Sequence, residues 1–225
     1  MPVKIEKGMV ARHGRPPHVH HGAKRGIRWA MLKSICVFAG SSLGAAPEFA
    51  GAARELGREI ARRGSRLVYG GARTGLMGVV AEAALAANGQ VVGVMPALLV
   101  DREVAHRGLS ELIVVGSMHE RKETMARLSD GFAALPGGFG TLDEFFEALT
   151  WAQLGLHDKP CGLLDIGGYY QSLLAFMDRA LAEGFVKEPY RSRVLVATDP
   201  AALLDQFESG AGRGEATTPL RTSRS

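Results

Sequence analysis

The sequence holds only two cysteines among its 225 residues, Cys36 and Cys161. Two cysteines exclude a disulfide framework and a metal cluster held by several thiolates. Each lies inside a short apolar run typical of a β-strand, where a lone thiol usually behaves as a small buried hydrophobic side chain. We expect neither a disulfide bond nor a metal ligand at these two positions.

Long hydrophobic runs are also missing. No stretch approaches the ~20 apolar residues that a membrane-spanning helix needs. The longest apolar run near the N-terminus, Ile35 to Ala39, is shorter than the roughly 7–15 residues of a signal-peptide core. These absences argue against a membrane partner and predict a cytoplasmic protein.

A basic stripe along the folded part is the third absence. The formal net charge is +4, but residues 1–30 carry seven Lys and Arg against one acid, whereas residues 31–209 hold 17 basic and 21 acidic residues. No nucleic-acid partner is therefore expected. We predict one domain over 31–209, between a disordered basic extension at 1–30 and a disordered tail at 210–225. The histidines at 18–21 lie in that extension without preorganised geometry, so no metal site is predicted.

Between these ends, short β-branched runs alternate with helical patterns. Near-continuous apolar strands separated by helices indicate parallel pairing with both sheet faces covered. We therefore predict an α/β fold with a doubly wound, mostly parallel sheet of about six or seven strands flanked by helices. The predicted strands span 34–39, 66–69, 90–95, 112–115, 131–135, 161–164 and 194–197, and the predicted helices span 47–63, 75–88, 118–129, 142–154, 169–183 and 200–208.

Glycine-rich loops follow three of the predicted strands, at 40–42, 70–75 and 136–141. Doubly wound sheets bind ligands beyond the carboxyl ends of their strands. Glycine allows close backbone approach, and the N-terminus of the following helix offers free N–H groups to an anion. One such loop is equally consistent with a tight turn, but three at one sheet edge favour a phosphate-binding site.

Dinucleotide and ATP sites fit these loops poorly. After Gly138 and Gly140, the third glycine position of G-x-G-x-x-G is occupied by Asp143. Asp165 ends a strand at a plausible distance for a ribose contact, but two glycines and a distant acid are a weak fingerprint. Neither the loop at 70–75 nor the loop at 136–141 contains the lysine of a P-loop. We expect a nucleotide ligand, but neither an NAD nor an ATP enzyme.

Two adjacent carboxylates follow the third glycine loop. Thr141 and Glu144 satisfy the capping-box pattern, in which the glutamate accepts from the amide of the capping threonine. A helical stripe at Leu142, Phe145, Phe146 and Leu149 would be buried and would turn Asp143 and Glu144 toward the mouth of the cleft. The pattern therefore leaves both a capping role and a functional role open for Glu144.

The preceding helix places a cation in its apolar face. Met118, Met125 and Leu128 define that face, Arg121 lies near its middle and Lys122 at its edge. A buried arginine is costly unless it is paired. Arg121 is therefore expected either to extend to solvent, or to meet a substrate phosphate, Glu144 or both.

A phosphate-binding loop and a nearby carboxylate together indicate a particular substrate class. A ribosyl group that loses its base passes through an oxocarbenium-like state, which carboxylates stabilise in glycosidases. Phosphate and cationic sugar occur together when the substrate is a nucleoside 5′-monophosphate. The sequence thus favours cleavage of a bond at the anomeric carbon of such a nucleotide.

Four segments carry a specific resemblance: PGGFGTLDE (136–144), SMHERK (117–122), YGGARTGLMG (69–78) and TWAQLGLHDKPCGLL (150–164). They resemble the Lonely Guy family, the cytokinin riboside 5′-monophosphate phosphoribohydrolases, whose members are often labelled lysine decarboxylases. The similarity runs from about Ser34 to Phe207. It implies a Rossmann-like fold, a homodimer with sites near the interface, and hydrolysis of cytokinin riboside 5′-monophosphates or AMP to free base and ribose 5-phosphate.

By position in these motifs, Glu144 is expected to be the catalytic glutamate and Arg121 the catalytic arginine. The loop at 96–106 resembles the family's segment ending in a base-side acid, here Glu103. Ala72 and Arg73 depart from the family's glycine loop. With the glycine loops, the resemblance implies a substrate- and phosphate-binding set of Gly40, Ser41, Gly71, Glu103, Met118, Lys122, Gly137, Gly138, Phe139, Gly140, Thr141, Leu142, Asp143 and Thr150.

The expected reaction needs only water, so no cofactor is predicted. A decarboxylase is not supported, because no lysine stands out as a Schiff-base partner for a cofactor. A non-catalytic nucleotide-binding sensor on the same fold remains the alternative. It would require the glycine loops but not Glu144.

Overall fold

The computed structural model describes residues 32–100 and 105–211. Residues 1–30 and almost all of 210–225, for which an extension and a tail are predicted, lie outside them. The strands are β1 (Ser34–Phe38), β2 (Arg66–Tyr69), β3 (Val91–Pro96), β4 (Glu111–Val115), β5 (Gly131–Ala134), β6 (Cys161–Leu164) and β7 (Val194–Ala197). The helices are α1 (Pro47–Arg62), α2 (Gly75–Ala86), α3 (Ala97–Val100), α4 (Met118–Arg127), α5 (Phe139–Gln153), α6 (Gln171–Ala182), α7 (Glu188–Arg191) and α8 (Pro200–Ser209).

The seven strands form one parallel sheet in the order β4-β3-β2-β1-β5-β6-β7. This confirms the predicted doubly wound α/β fold. The strand order reverses between β1 and β5. The chain places β2, β3 and β4 on one side of β1 and then returns to place β5, β6 and β7 on its other side, where Phe38 of β1 lies beside Ala134 of β5. The loops after these two strands flank a crevice, the place where such sheets bind ligands.

Both faces of the sheet are covered by apolar layers. Ile35 and Val37 of β1 face a core that also contains residues of α1, α2 and α8. Cys36 and Phe38 face the opposite core, which contains residues of α4, α5 and α6. Because successive strand residues point to opposite faces, burial on both sides explains the continuous apolar runs.

Each of the seven predicted strands is present within one residue of its predicted bounds, but some helix boundaries differ. The prediction missed α3 and α7, which are single turns of four residues. It also began α6 too early, because a 3₁₀ turn at Ile166–Gly168 precedes it, with Gly167 at φ 61°. Among the described residues, no helix is both long and apolar enough to cross a membrane.

Candidate active site

A cleft of about 360 Å³ opens at the crevice between β1 and β5. It lies between the loop after β1, the start of α5 and the side of α4. Its lining combines backbone from glycine-rich loops with one buried cation and one carboxylate. The lining residues are Ala39, Gly40, Ser41, Met77, Arg121, Gly138, Phe139, Gly140, Thr141 and Glu144.

The start of α5 supplies the backbone donors of this cleft. The helix begins at Phe139, and Gly138 is its N-cap, without a side chain to cap it. The first N–H groups of a helix have no partner within the helix and carry a partial positive charge. This end of the cleft is therefore suited to an anion such as a phosphate.

The predicted capping box is wrong. Thr141 is the third residue of α5 rather than its N-cap, so Glu144 lies in the second turn. Thr141 is instead 4% exposed and packed below Gly137, where a Cβ would approach the Thr141 Cβ to 2.7 Å. The threonine therefore supports the glycine loop, and helix capping does not account for Glu144.

The predicted buried stripe of α5 is partly wrong as well. Phe145 is fully buried, and Leu142 packs partly buried against the same core. Phe146, in contrast, is 37% exposed, and Ala148 takes the inner position one turn after Phe145. The helix begins earlier than predicted but keeps Glu144 on the side that faces the cleft.

Arg121 of α4 is 6% exposed, which rules out the expectation that it extends to solvent. Its Nε donates to the carbonyl of Val94 at 3.2 Å, and its Nη2 donates to the carbonyl of Gly70 at 3.2 Å. The same Nη2 lies 3.9 Å from Oε1 of Glu144, whose side chain is 13% exposed. The guanidinium thus joins β3 and the residue after β2 to the carboxylate on α5.

Gly70 makes this placement of Arg121 sterically feasible. A Cβ on Gly70 would collide with Nη2 of Arg121 and would lie 3.1 Å from its Cζ. Gly70 is not among the site residues predicted from the sequence. Its only signal was its place beside Gly71 in a glycine pair, which does not reveal that a side chain from another helix lies against it.

Lys122 forms two ion pairs on the neighbouring side of α4. Its Nζ lies 3.1 Å from Oδ2 of Asp143 and 3.1 Å from Oε1 of Glu147. Burial disfavours the charged amine, but these carboxylates outweigh that effect and raise the pKa of Lys122. Lys122 and Asp143 do not line the cleft in this arrangement, so their predicted contacts with substrate stay predictions.

Met118, Gly71 and Thr150, also predicted to bind substrate, do not line the cleft. Met118, 44% exposed, places its Sδ 3.8 Å from Nη1 of Arg121. Gly71 adopts φ 81°, and its carbonyl accepts from the amide of His106, so it shapes the loop after β2. Thr150 is exposed, and its hydroxyl donates to the carbonyl of Phe146 on its own helix. Glu103 lies outside the described residues.

Metal ligands do not assemble in the described part of the chain, where no group of three or more His, Cys, Asp or Glu side chains is suitably arranged. Cys36 and Cys161 are both buried, as predicted, and both are free thiols in the structure. Burial raises the pKa of both thiols, to about 12 for Cys161.

Comparisons with known proteins agree with the fold and with the family that the sequence resembles. The family profile described as "Possible lysine decarboxylase" matches residues 77–207. A cytokinin riboside 5′-monophosphate phosphoribohydrolase of Rhodococcoides fascians is 53% identical over 74% of this chain and 85% of its own. An enzyme of the same name from Arabidopsis thaliana is 46% identical over 82% of this chain and 86% of its own.

Among solved structures, the molybdenum cofactor carrier protein of Chlamydomonas reinhardtii is similar, with a TM-score of 0.61 and 27% identity over 79% of this chain and 96% of its own. The sheet order, the glycine loops and these sequence identities support the same family assignment. The chain belongs to the Lonely Guy family of phosphoribohydrolases.

Proposed function

We propose that this protein hydrolyses the N-glycosidic bond of cytokinin riboside 5′-monophosphates or AMP, releasing the free base and ribose 5-phosphate. The observation that carries the proposal is the pairing of Glu144 with buried Arg121 in the cleft that also contains the start of α5. Relatives 46–53% identical to this chain carry the corresponding enzyme name.

The start of α5 is the proposed binding site for the 5′-phosphate. Gly138 and Gly140 have open space where a Cβ would be, so a ligand can approach their backbone closely. The phosphate would accept hydrogen bonds from the free amides of the first turn, and the helix dipole favours its negative charge. This contact would select nucleotides over nucleosides.

Glu144 is the proposed catalytic residue at the other end of the sugar. As the bond from C1′ to the base nitrogen breaks, its electron pair leaves with the base, and positive charge develops on the ribosyl group. A carboxylate beside C1′ stabilises that charge. A water molecule then bonds to C1′, one of its protons is lost, and the base takes up a proton. Arg121 is proposed to orient Glu144 and to contact the substrate phosphate.

The decisive experiment replaces Glu144→Gln and follows base release from AMP and from its N6-isopentenyl analogue by chromatography. We expect the rate to fall by roughly 100-fold or more, the range seen when an electrostatic group acting on the transition state is removed. Glu147→Gln is the matched control, because Glu147 lies three residues further along α5 and pairs with Lys122. Full activity of Glu144→Gln would reject the assigned role.

The same two substrates also test which nucleotide is preferred. In a hydrophobic pocket, each methyl-sized difference between two substrates changes their relative transition-state binding by roughly 1–3 kcal/mol. A higher kcat/KM for the isopentenyl nucleotide than for AMP supports the cytokinin assignment. Equal values would identify a general nucleoside 5′-monophosphate hydrolase.

A nucleotide-binding carrier is the second candidate function. The solved structure of a protein named as a molybdenum cofactor carrier is 27% identical to this chain and shares its fold, so carrier proteins exist on this architecture. A carrier would need the glycine loops but not Glu144. Tight AMP binding by calorimetry without release of adenine would favour this function over hydrolysis.

We also propose a homodimer, from the exposed apolar side chains of α4 and of both ends of α5. The exposed side chains Met118, Phe139, Leu154 and Leu156, the last 70% exposed, lie on or directly after α4 and α5. Exposed apolar side chains of this size are typical of a protein interface. Light scattering should give twice the 24.0 kDa chain mass, and Leu156→Asp should weaken the dimer. A wild-type monomer at micromolar concentration would contradict this proposal.

A further inference from the structure

Three successive carbonyl groups lead from β5 to the start of α5, and each accepts a hydrogen bond from another part of the chain. The carbonyl of Leu135 accepts from the hydroxyl of Tyr170 at 2.6 Å. The carbonyl of Pro136 accepts from the amide of Gly40 at 3.1 Å. The carbonyl of Gly137 accepts from the hydroxyl of Tyr169 at 2.7 Å.

These bonds matter because a carbonyl oxygen carries partial negative charge. A peptide group is planar, so its C=O and the N–H of the next residue point in opposite directions. Holding the oxygen of Gly137 against Tyr169 therefore fixes the direction of the Gly138 amide, on the far side of the same peptide. Gly138 lines the cleft and is the N-cap of α5. A rotated peptide would bring an oxygen where an anion should bind.

Glycine itself provides no resistance to that rotation. Gly138 has no heavy atom within 4 Å of a hypothetical Cβ, so packing at this residue does not fix its backbone. Glycine also has wider access to backbone conformations than any other residue. The hydrogen bond from Tyr169 therefore fixes the orientation of the Gly137–Gly138 peptide together with the packing of Gly137 against Thr141 and Gly40.

The tyrosine pair follows a turn after β6 that a hydrogen bond to Asp165 stabilises. Gly167 and Gly168 both adopt left-handed backbone conformations, with φ 61° and φ 75°. The carboxylate of Asp165 is 2% exposed and accepts from the amide of Tyr170 at 2.7 Å. Asp165, considered above as a ribose ligand, instead fixes this turn.

The ring of Tyr169 also makes aromatic contacts that do not involve its hydroxyl. It packs edge-to-face against Phe49, with ring centroids 5.6 Å apart, and against Tyr170, with centroids 5.0 Å apart. Tyr169 is 45% exposed, whereas Tyr170 is 1% exposed. Removing the hydroxyl of Tyr169 therefore deletes one hydrogen bond without opening a buried cavity.

We propose that Tyr169 is a positioning residue for phosphate recognition: its hydroxyl holds the Gly137–Gly138 peptide with the amide directed at the 5′-phosphate of the substrate. This role rests on the proposed function, since it assumes that the start of α5 binds that phosphate. Tyr169, in the turn after β6, would then contribute to specificity for phosphorylated ligands without touching the substrate.

Tyr169→Phe tests the proposal. The KM for AMP should rise roughly five- to tenfold, the effect of losing about one hydrogen bond, with kcat within about twofold, because phosphate binding is retained from ground state to transition state. The dissociation constant of ribose 5-phosphate, measured by calorimetry, should rise by the same factor. Tyr190→Phe on α7 removes a hydroxyl outside the loop and should change neither value.

The calorimetric arm separates the two proposals. If the wild-type protein binds ribose 5-phosphate but releases no base, the hydrolase assignment fails while the role of Tyr169 is still measured. Unchanged ribose 5-phosphate binding in Tyr169→Phe overturns the positioning role, as does a loss confined to kcat. Absence of ribose 5-phosphate binding by the wild-type protein overturns it as well, together with the phosphate site at α5.

Discussion

Gly70→Ala should reduce activity by moving a side chain that belongs to another helix. The Cβ of alanine would collide with Nη2 of Arg121, the atom that donates to the carbonyl of Gly70 and lies 3.9 Å from Glu144. Gly70 is not among the glycines with positive φ, so alanine fits its backbone conformation. The guanidinium, at the end of a flexible side chain, is therefore the group that must move.

The size of the effect follows from the contacts that Arg121 would lose. A hydrogen bond from a charged group contributes about 1.5–3 kcal/mol, and 1.4 kcal/mol corresponds to a factor of ten. If the displaced guanidinium no longer orients Glu144, kcat/KM should fall roughly 10- to 100-fold. Since the side chain can shift rather than leave its site, the melting temperature should fall by only about 2–4 °C.

A double-mutant cycle tests this reasoning by steady-state base release and thermal unfolding. In an Arg121→Ala background, Gly70→Ala should cause no further loss of kcat/KM, because the group that it displaces is gone. Gly51→Ala is the control, since Gly51 is an exposed position of α1 and its Cβ would meet no atom within 4 Å. Equal losses from Gly70→Ala with and without Arg121 would refute the steric argument.

Other parts of the chain give further predictions. Gly137→Ala should abolish phosphate binding and lower the melting temperature, whereas Gly138→Ala, with open space at its Cβ, should keep the fold. A hydrogen bond from Arg62, with a lesser contribution from the next arginine, lowers the pKa of Glu59 to about 2. Its stabilising contribution is present above its ordinary pKa of 4.5 and is lost toward pH 2, so urea midpoints should fall over that range and less so in Glu59→Gln. Both cysteine thiols are buried with raised pKa, and should react with a disulfide reagent only after unfolding.

The sequence predicted the strands well because this sheet is parallel and buried on both faces. Each strand must then be a short, nearly continuous apolar run, and the glycines and polar residues around it mark its ends. The run at 161–164 shows this, since it is buried throughout and matches its predicted bounds. The single-turn helices α3 and α7 carry too few residues for any period to be visible.

The candidate site was predicted less completely, because two of its features depend on contacts between distant segments. The need for a partner could be inferred for Arg121 from its place in an apolar face. Its hydrogen bonds to the carbonyls of Val94 and Gly70 could not be predicted, because every residue has a backbone carbonyl and the sequence does not indicate which ones accept. The hydroxyl of Tyr169 meets Gly137 across 32 positions of the chain, and no local pattern indicates that pairing.

The mistaken start of α5 bears directly on how one short segment serves a phosphate and a carboxylate. A capping Thr141 would have put Glu144 in the first turn, at the end of the helix where the proposed phosphate binds. With Phe139 as the first residue, Glu144 lies five residues further on, about 7.5 Å along the helix axis at the usual rise per residue. That separation leaves room for a sugar between the two charges, and Nη2 of Arg121, which also lines the cleft, lies 3.9 Å from the carboxylate. Because the helix begins directly after Gly138, the proposed anion site and the acid are one turn or more apart. One helix can therefore bind a nucleotide by its phosphate and act on it at the anomeric carbon.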